Sequence, residues 1–424
     1  MEKKRIIVLS NSAISERESN GRVLKNLLPE SDYASYLNVY VYGIPFKGSH
    51  INYLHFSDNS VLKSVISLGI KSSEDVVSFD ETTNAFRPNK SGSKKTPRRY
   101  YLRNTIWNLS LRTKQTIIKK ALEFNPDIIF LMGANMPFFY NIARKLVKKT
   151  KAKLIIYNAE DYPLKKYDYM SQKQSKSFFC NLVQKQLFKS ALKAYSVSSY
   201  NVFNSDELMD SYLSGGFDCV GKSCIIRIPS SLKPIQSSGL ANTILYAGNL
   251  SFDRCNSLIE IADVLKQLQS DYKIIVFGRV TDAKQLETIS NHSKIDYKGI
   301  VEFDELKPFF QKTEYLLHVE GFSDYANLDY KHAFSTKIAD YLLIGKPFIC
   351  YGSAKIAGVH FLNEINPNFT ITSKQDLLNK LSDILSRKVL YNIDKEMINN
   401  DFSINGTRSK IISVFSFVAQ DNKI

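Results

Sequence analysis

The chain has 424 residues, 44% hydrophobic and 23% charged, which excludes a disordered protein and exceeds what one ordinary core holds, so two domains are expected. Lys and Arg outnumber Asp and Glu by 57 to 41, a formal net charge of +16, and this points to an anionic partner: nucleic acid, an anionic membrane surface or phosphorylated substrates. The five cysteines are scattered with no CxxC pair, which suggests neither a disulfide framework nor a zinc site and fits a reducing, cytoplasmic compartment.

The apolar run after the basic start is only Ile6 to Leu9, a strand and not a signal peptide. No apolar stretch approaches the ~20 residues that span a bilayer, so any membrane role is expected at the surface. A polar loop follows from Ser10 to Arg22, and Val23, Leu24, Leu27 and Leu28 begin a helix. Strand, glycine-bearing loop and helix open an α/β domain, and the absence of GxGxxG argues against a tight dinucleotide turn. Further strands are expected at Val39–Tyr42 and Tyr53–Phe56.

From Pro88 to Arg99 the chain is polar and strongly basic, then Tyr100, Tyr101, Leu102, Ile106 and Trp107 start a helix. Basic charge beside aromatics suits anionic lipid headgroups or a phosphate, and equally a solvated loop leading into a helix with core aromatics. Strands are expected at Ile128–Gly133 and Lys153–Asn158, with a helix from Pro137 to Val147 between them. Glu160 and Asp161 follow the second of these strands. Carboxyl ends of parallel strands are where ligands sit, so these acids could bind acceptor hydroxyls or take a proton; they could equally cap a neighbouring helix. Phe178–Tyr195 reads as a helix, Ala194–Ser198 and Cys224–Ile228 as strands.

Pro229 to Gly239 is rich in Pro, Ser and Gly and reads as the interdomain linker. A second βα alternation follows: strand Thr243–Ala247, helix Ser257–Leu268, strands Lys273–Phe277 and Ile295–Tyr297, helix Asp304–Phe310, and strand Tyr315–His318. Ser335 or Thr336 can cap a helix whose Ile338, Tyr341 and Leu342 share a face, and Gly345 and Pro347 end it before the strand Phe348–Tyr351. A helix follows from Lys374 to Leu385, and the tail Ser409–Val418 is amphipathic and suited to cross back to the first domain. The division expected is 1–232, 240–400 and a C-terminal helix 401–424.

Four strand-end loops of the second half carry the chemistry: Gly248-Asn249 to Arg254, Gly278-Arg279, Gly299 to Glu302, and Glu320-Gly321-Phe322 leading to Ser335. A diphosphate leaving group needs cations, helix-start N–H groups and close backbone approach. Arg254, Arg279 and Lys337 supply charge, Gly248 and Gly278 the approach, and Asp340 a carboxylate for ribose hydroxyls.

In this combination the chain resembles the GT-B glycosyltransferases, most closely the family 4 type of bacterial polysaccharide assembly. The resemblance covers nearly the whole chain and is strongest from Ile244 to Tyr351. It rests on Gly248 with Asn249 where the family has Arg, Arg254 at the position of a family Lys, and Asp340 five residues before Gly345 in Gly-Lys-Pro. Glu320 resembles the first acid of the family's pair, and Ser335, Lys337, Tyr341 and Leu342 match a subgroup that binds diphosphate at this helix start. Asn20-Gly21-Arg22 resembles the acceptor-side loop, whose glycine passes close to the donor phosphates.

The resemblance implies two Rossmann-like domains with parallel sheets facing a cleft, a nucleotide-sugar donor on the second domain, and a lipid-linked oligosaccharide acceptor on the first. It implies no cofactor, no metal and retention of configuration, at the inner face of the cell membrane. Arg254 and Lys337 would stabilise the departing diphosphate, Glu160 or Asp161 would position the acceptor, and Gly21, Gly248, Asn249, Gly278, Arg279, Glu320, Ser335, Thr336 and Asp340 would line the donor site. Two alternatives share the fold. An epimerase would need a cluster of acids and histidines, and His318 and His332 are present without such a cluster; a degenerate partner subunit would fit Asn249 in place of a cation and the lengthened spacing of the acidic pair. No nucleic-acid recognition motif is present.

Overall fold

The computed structural model describes residues 3–30, 33–48, 50–66, 96–171, 173, 175–235, 240–251 and 253–420. The chain divides into two units, Met1–Arg227 with Thr407–Ile424, and Ile228–Gly406. Each is a wholly parallel sheet with mostly helical connections, as continuous apolar strands demand: a strand buried on both faces has no polar side to alternate with. Ile6 to Leu9 and Ile128 to Leu131 illustrate this, each residue at most 1% exposed.

In the first unit β1 (Lys4–Leu9), α1 (Ser19–Leu27), β2 (Ala34–Tyr40), β3 (Ile51–His55) and α2 (Asp58–Ile66) come first. After them come α3 (Pro97–Leu109), α4 (Leu111–Phe124), β4 (Ile128–Met132), α5 (Pro137–Thr150) and β5 (Lys153–Asn158). The unit continues with α6 (Phe178–Tyr195), β6 (Tyr200–Phe203), α7 (Asp206–Ser214) and β7 (Ser223–Ile225). The strand order is β3-β2-β1-β4-β5-β6-β7, the doubly wound pattern with its reversal between β1 and β4.

The second unit holds β8 (Leu240–Ala247), α8 (Arg254–Gln267), β9 (Lys273–Phe277), α9 (Ala283–Asn291), β10 (Ile295–Gly299), α10 (Phe303–Lys312) and β11 (Thr313–Val319). It continues with α11 (Asp324–Asp329), α12 (Thr336–Ile344), β12 (Phe348–Tyr351), α13 (Ala357–Ile365), β13 (Thr370–Ile371), α14 (Leu377–Leu385) and α15 (Lys395–Phe402). Its order is β10-β9-β8-β11-β12-β13, with the reversal between β8 and β11. Helix α16 (Ile404–Gln420) returns the chain to the first unit. There Arg408 pairs with Glu30 and donates to the carbonyls of Lys25 and Asn26, at the end of α1.

Three expectations change. The loop expected through Arg22 ends earlier, because α1 starts at Ser19 and Gly21 is buried in its first turn. A Cβ on Gly21 would lie 2.5 Å from Ser15 Cβ and 2.6 Å from the Ala13 carbonyl, so this glycine serves packing of the chain on itself. The strand expected at 194–198 is the end of α6, whose Ala194 and Tyr195 stay on its buried face, and the strand is β6. The expected linker is no free tether over its described part. Ser230 and Ile235 donate backbone hydrogen bonds to Phe402 and Ile344 of the second unit, and 236–239 lie outside the described residues, as do 88–95 of the basic stretch. All five cysteines are free thiols, four of them buried.

Lys346 sits between the helix-ending Gly345, φ +75°, and Pro347. It is 3% exposed and donates to the carbonyls of Phe310 at 2.8 Å, Gln311 at 2.9 Å and Thr313. These include carbonyls at the end of α10 that have no helical partner, so the ammonium caps that helix and joins α12 to it.

Candidate active site

The second unit's sheet reverses between β8 and β11, and the crevice at the carboxyl ends of such a pair is where an open parallel sheet binds ligands. Gly248 follows β8 directly, and Glu320 follows β11. The glycine loops are tied in series: Gly248 N donates to Phe277 O at 2.8 Å, and Gly278 N to Gly299 O at 2.8 Å. A Cβ on Gly278 would lie 1.8 Å from the Gly248 carbonyl oxygen, so only glycine lets these two loops meet.

Arg254 opens α8, and its guanidinium grips Glu320 in a fork, Nε to Oε2 at 2.8 Å and Nη2 to Oε1 at 3.1 Å. The Tyr330 ring lies 4.6 Å from the guanidinium carbon. The first turn of α8 also holds the backbone after β11. Asp253 Oδ2 accepts from the amides of Phe322 and Ser323 at 3.1 and 2.9 Å, and Ser257 Oγ donates to Glu320 O at 2.8 Å. Burial pushes the Glu320 carboxyl up, but Arg254, His318 and Lys337 together outweigh it and hold it at about 2. Glu320 is 4% exposed and His318 1%. His318 Nε2 lies 3.4 Å from Glu320 Oε1, and neither imidazole nitrogen has a hydrogen-bond partner. Burial, against the pull of Glu320, holds the imidazole below its ordinary range.

Lys337, in the first turn of α12, places its ammonium 4.8 Å over the Tyr246 ring. A Cβ on Gly248 would fall 2.1 Å from Lys337 Nζ. The space expected for a phosphate beside Gly248 is therefore taken by the lysine. Burial first, then repulsion from Arg254, lowers this ammonium to about 8, against the pull of Glu320 and Asp340.

Several other predicted residues engage groups of the protein itself. The Asp340 carboxylate, assigned to ribose, accepts the Ser230 hydroxyl of the segment that starts the unit. Ser335 is the residue that precedes α12, but its hydroxyl makes no cap bond, and Thr336 is the first helical residue. Asn249 is exposed and folds back to accept from Ser251 N at 3.0 Å. Arg279 is exposed after β9, where its carbonyl accepts from Leu250 N at 3.1 Å.

Glu160 and Asp161 belong to the first unit, after β5. Asp161 is 7% exposed and pairs with Lys165, 5% exposed, at 3.0 Å; Lys165 also donates to Tyr167 Oη at 2.8 Å. In this structure the Asp161 carboxylate is therefore held by a buried ammonium of its own loop. The Glu160 charge, with burial, raises the Tyr162 phenol well above its ordinary value, and the Glu160 carbonyl accepts from Tyr212 Oη at 3.1 Å. Sequence reasoning missed Asp253, Ser257 and Tyr330. Asp253 directly precedes α8 but makes no cap bond there, and with the helix expected only from Ser257 no local pattern marked it.

No protein-family model matches this chain, and no curated protein matches it in sequence. Solved structures match over its full length. HepE of Anabaena, in complex with UDP, is 12% identical with a TM-score of 0.59, covering 97% of this chain and 99% of its own. A trehalose-6-phosphate synthase from Burkholderia multivorans is 11% identical with a TM-score of 0.58, covering 99% and 100%. A glycosyltransferase from Rickettsia africae is 14% identical with a TM-score of 0.56, covering 99% of both chains. At such identity the likeness is one of fold, and the chain has the GT-B fold of two Rossmann-like domains.

Proposed function

We propose that the chain is a nucleotide-sugar-dependent glycosyltransferase of the family 4 kind, retaining, acting on a lipid-linked glycan in bacterial surface polysaccharide synthesis. The observation that carries this reading is the gathering of Arg254 and Lys337 around Glu320 at the sheet reversal of the second unit, beside the loops of Gly248 and Gly278. Two half-buried cations at the strand ends suit the charge that develops on a departing nucleoside diphosphate. In this reading the donor's diphosphate draws Arg254 and Lys337 onto its oxygens, with Arg279 joining from β9. Glu320, relieved of part of its partner, then faces a sugar hydroxyl. The acceptor hydroxyl attacks the anomeric carbon on the face of the leaving group, and a phosphate oxygen takes its proton. Protein cations supply the charge here, so transfer is expected to persist in a chelator.

The neighbours that carry UDP or the name of a sugar transferase support the donor class. Among the described residues no helix is long and apolar enough to cross a membrane, and a peripheral place at the inner membrane face is part of the proposal. A thermal-shift screen of nucleotide sugars identifies the donor, since binding to the native state alone raises the melting temperature. Transfer and donor hydrolysis are then measured for Arg254→Ala and Lys337→Ala. Turnover like the wild type in both variants would overturn the assignment.

One observation favours a second reading, a degenerate subunit that scaffolds an active transferase: Arg254 and Asp340 are both engaged by side chains of their own unit. Calorimetry with the nucleotide sugars separates the two, because a scaffold binds no donor.

A further inference from the structure

Outside the strand-end site, the first unit carries a cavity of about 430 Å³ at the corner of α3, α4 and α5. Its wall holds Asn108, Lys114, Asn141, Arg144, Lys145 and Lys148, and among its described lining residues none is acidic. Phe138 and Ile142, each 1% exposed, form the apolar floor.

Four of these side chains come from one face of α5. Asn141, Arg144, Lys145 and Lys148 stand at intervals of three and four residues, which places them on neighbouring turns. Arg144 and Lys148 are like charges four apart, an arrangement that weakens a helix unless an anion lies between them. Lys114 enters from the first turn of α4 and donates to the Asn108 carbonyl at the end of α3. Burial and the charge of Lys145 hold its ammonium below the lysine range. The two amides are set by each other, Asn141 Nδ2 donating to Asn108 Oδ1 at 3.3 Å. The result is a fixed pair of amides among four cations, over an apolar base.

We infer that this cavity binds a phosphate group, on a face of the first unit that the proposed donor chemistry does not use. Two sources share that chemistry: a soluble phosphate or diphosphate, and the headgroup of an anionic phospholipid. Leu109 and Leu111, 60% and 67% exposed, flank Ser110 at the same corner, where acyl chains would meet them in the second case.

The chain contains one tryptophan, Trp107. It neighbours Asn108 in sequence, and its ring lies 5.0 Å from that of Phe138 in the cavity floor. Its emission therefore reports on this cavity and not on the second unit. The full chain is titrated with inorganic pyrophosphate and, separately, with vesicles of phosphatidylglycerol or of phosphatidylcholine alone.

A saturable change with pyrophosphate is expected for the soluble source. A change with phosphatidylglycerol vesicles only, lost at high salt, is expected for the lipid source. In either case Arg144→Gln with Lys148→Gln, and separately Lys114→Gln, weaken the response at least tenfold while far-UV dichroism and nucleotide-sugar binding stay unchanged. Unaltered affinity in both variants, or no response of the wild type to either probe, overturns the inference.

Discussion

Arg254 and Glu320 face each other in a two-point fork at 2.8 and 3.1 Å, across the strand reversal of the second unit. Both side chains are nearly buried, 11% and 5% exposed. Removing one partner of such a pair leaves a buried charge without compensation, which costs about 3–5 kcal/mol. Glu320→Ala is expected to destabilise the second unit by that order in urea unfolding. Adding Arg254→Met is expected to restore part of the loss, and fully additive effects of the two changes would show that the fork carries no coupling.

The same pair contributes to the acid sensitivity of the second unit. The Glu320 carboxyl is depressed to about 2 in the folded chain, against about 4.3 for a free glutamate. Its stabilisation is therefore complete above the unfolded value and is lost as pH falls from there through about 2. Glu320→Gln should flatten that part of the stability profile, read from melting temperatures between pH 5 and pH 2.

Lys337 predicts a pH dependence of the opposite origin. Its ammonium is lowered to about 8, so between that value and the free lysine value of about 10.4 the unfolded chain binds more protons and stability rises with pH. Donor capture moves the other way, because the charged form grips phosphate. The apparent kcat/KM, which reports the free enzyme, is expected to fall above about pH 8. Lys337→Arg should move that limb upward, and an unchanged limb would remove Lys337 from phosphate binding.

Loss of either cation should be felt in turnover. Arg254→Ala is expected to cost ~3 kcal/mol of transition-state stabilisation, roughly a hundredfold in kcat. The donor's melting-temperature shift should shrink as well.

Gly278 has no room for a side chain, since a Cβ would stand 1.8 Å from the Gly248 carbonyl oxygen. Gly278→Ala is expected to destabilise by about 1–3 kcal/mol through overpacking and to weaken donor binding by parting the loops. Equilibrium unfolding and donor thermal shift check the two effects separately.

Much of this fold is legible from apolar runs alone. Ile6 to Leu9 and Lys153 to Asn158 announce buried parallel strands because both sheet faces are covered. The candidate site was legible as a set of loops and not as contacts. Arg254 and Glu320 are 66 residues apart, and they meet only because β8 and β11 are neighbours in the sheet. No local pattern encodes that adjacency.

Asp340 illustrates a second limit. Its spacing before Gly345 was evident, but its partner Ser230 lies 110 residues away, in a segment whose Pro, Ser and Gly content resembles a tether. Lys346 read as part of a helix stop, and its capping of α10 depends on where that helix ends in space. Gly21 misled because its polar neighbours suit a loop as well as a first helical turn.

The five free thiols turn the two units into separately timed objects. Cys180, Cys219 and Cys224 belong to one, Cys255 and Cys350 to the other, and burial raises every one of these thiols above its ordinary range. A sheltered, protonated thiol reacts with an alkylating reagent only when its surroundings open. Cys224, the least enclosed, should be modified first. The masses gained by peptides around the other four, followed over hours, would then give an opening rate for each unit from a single unmodified sample.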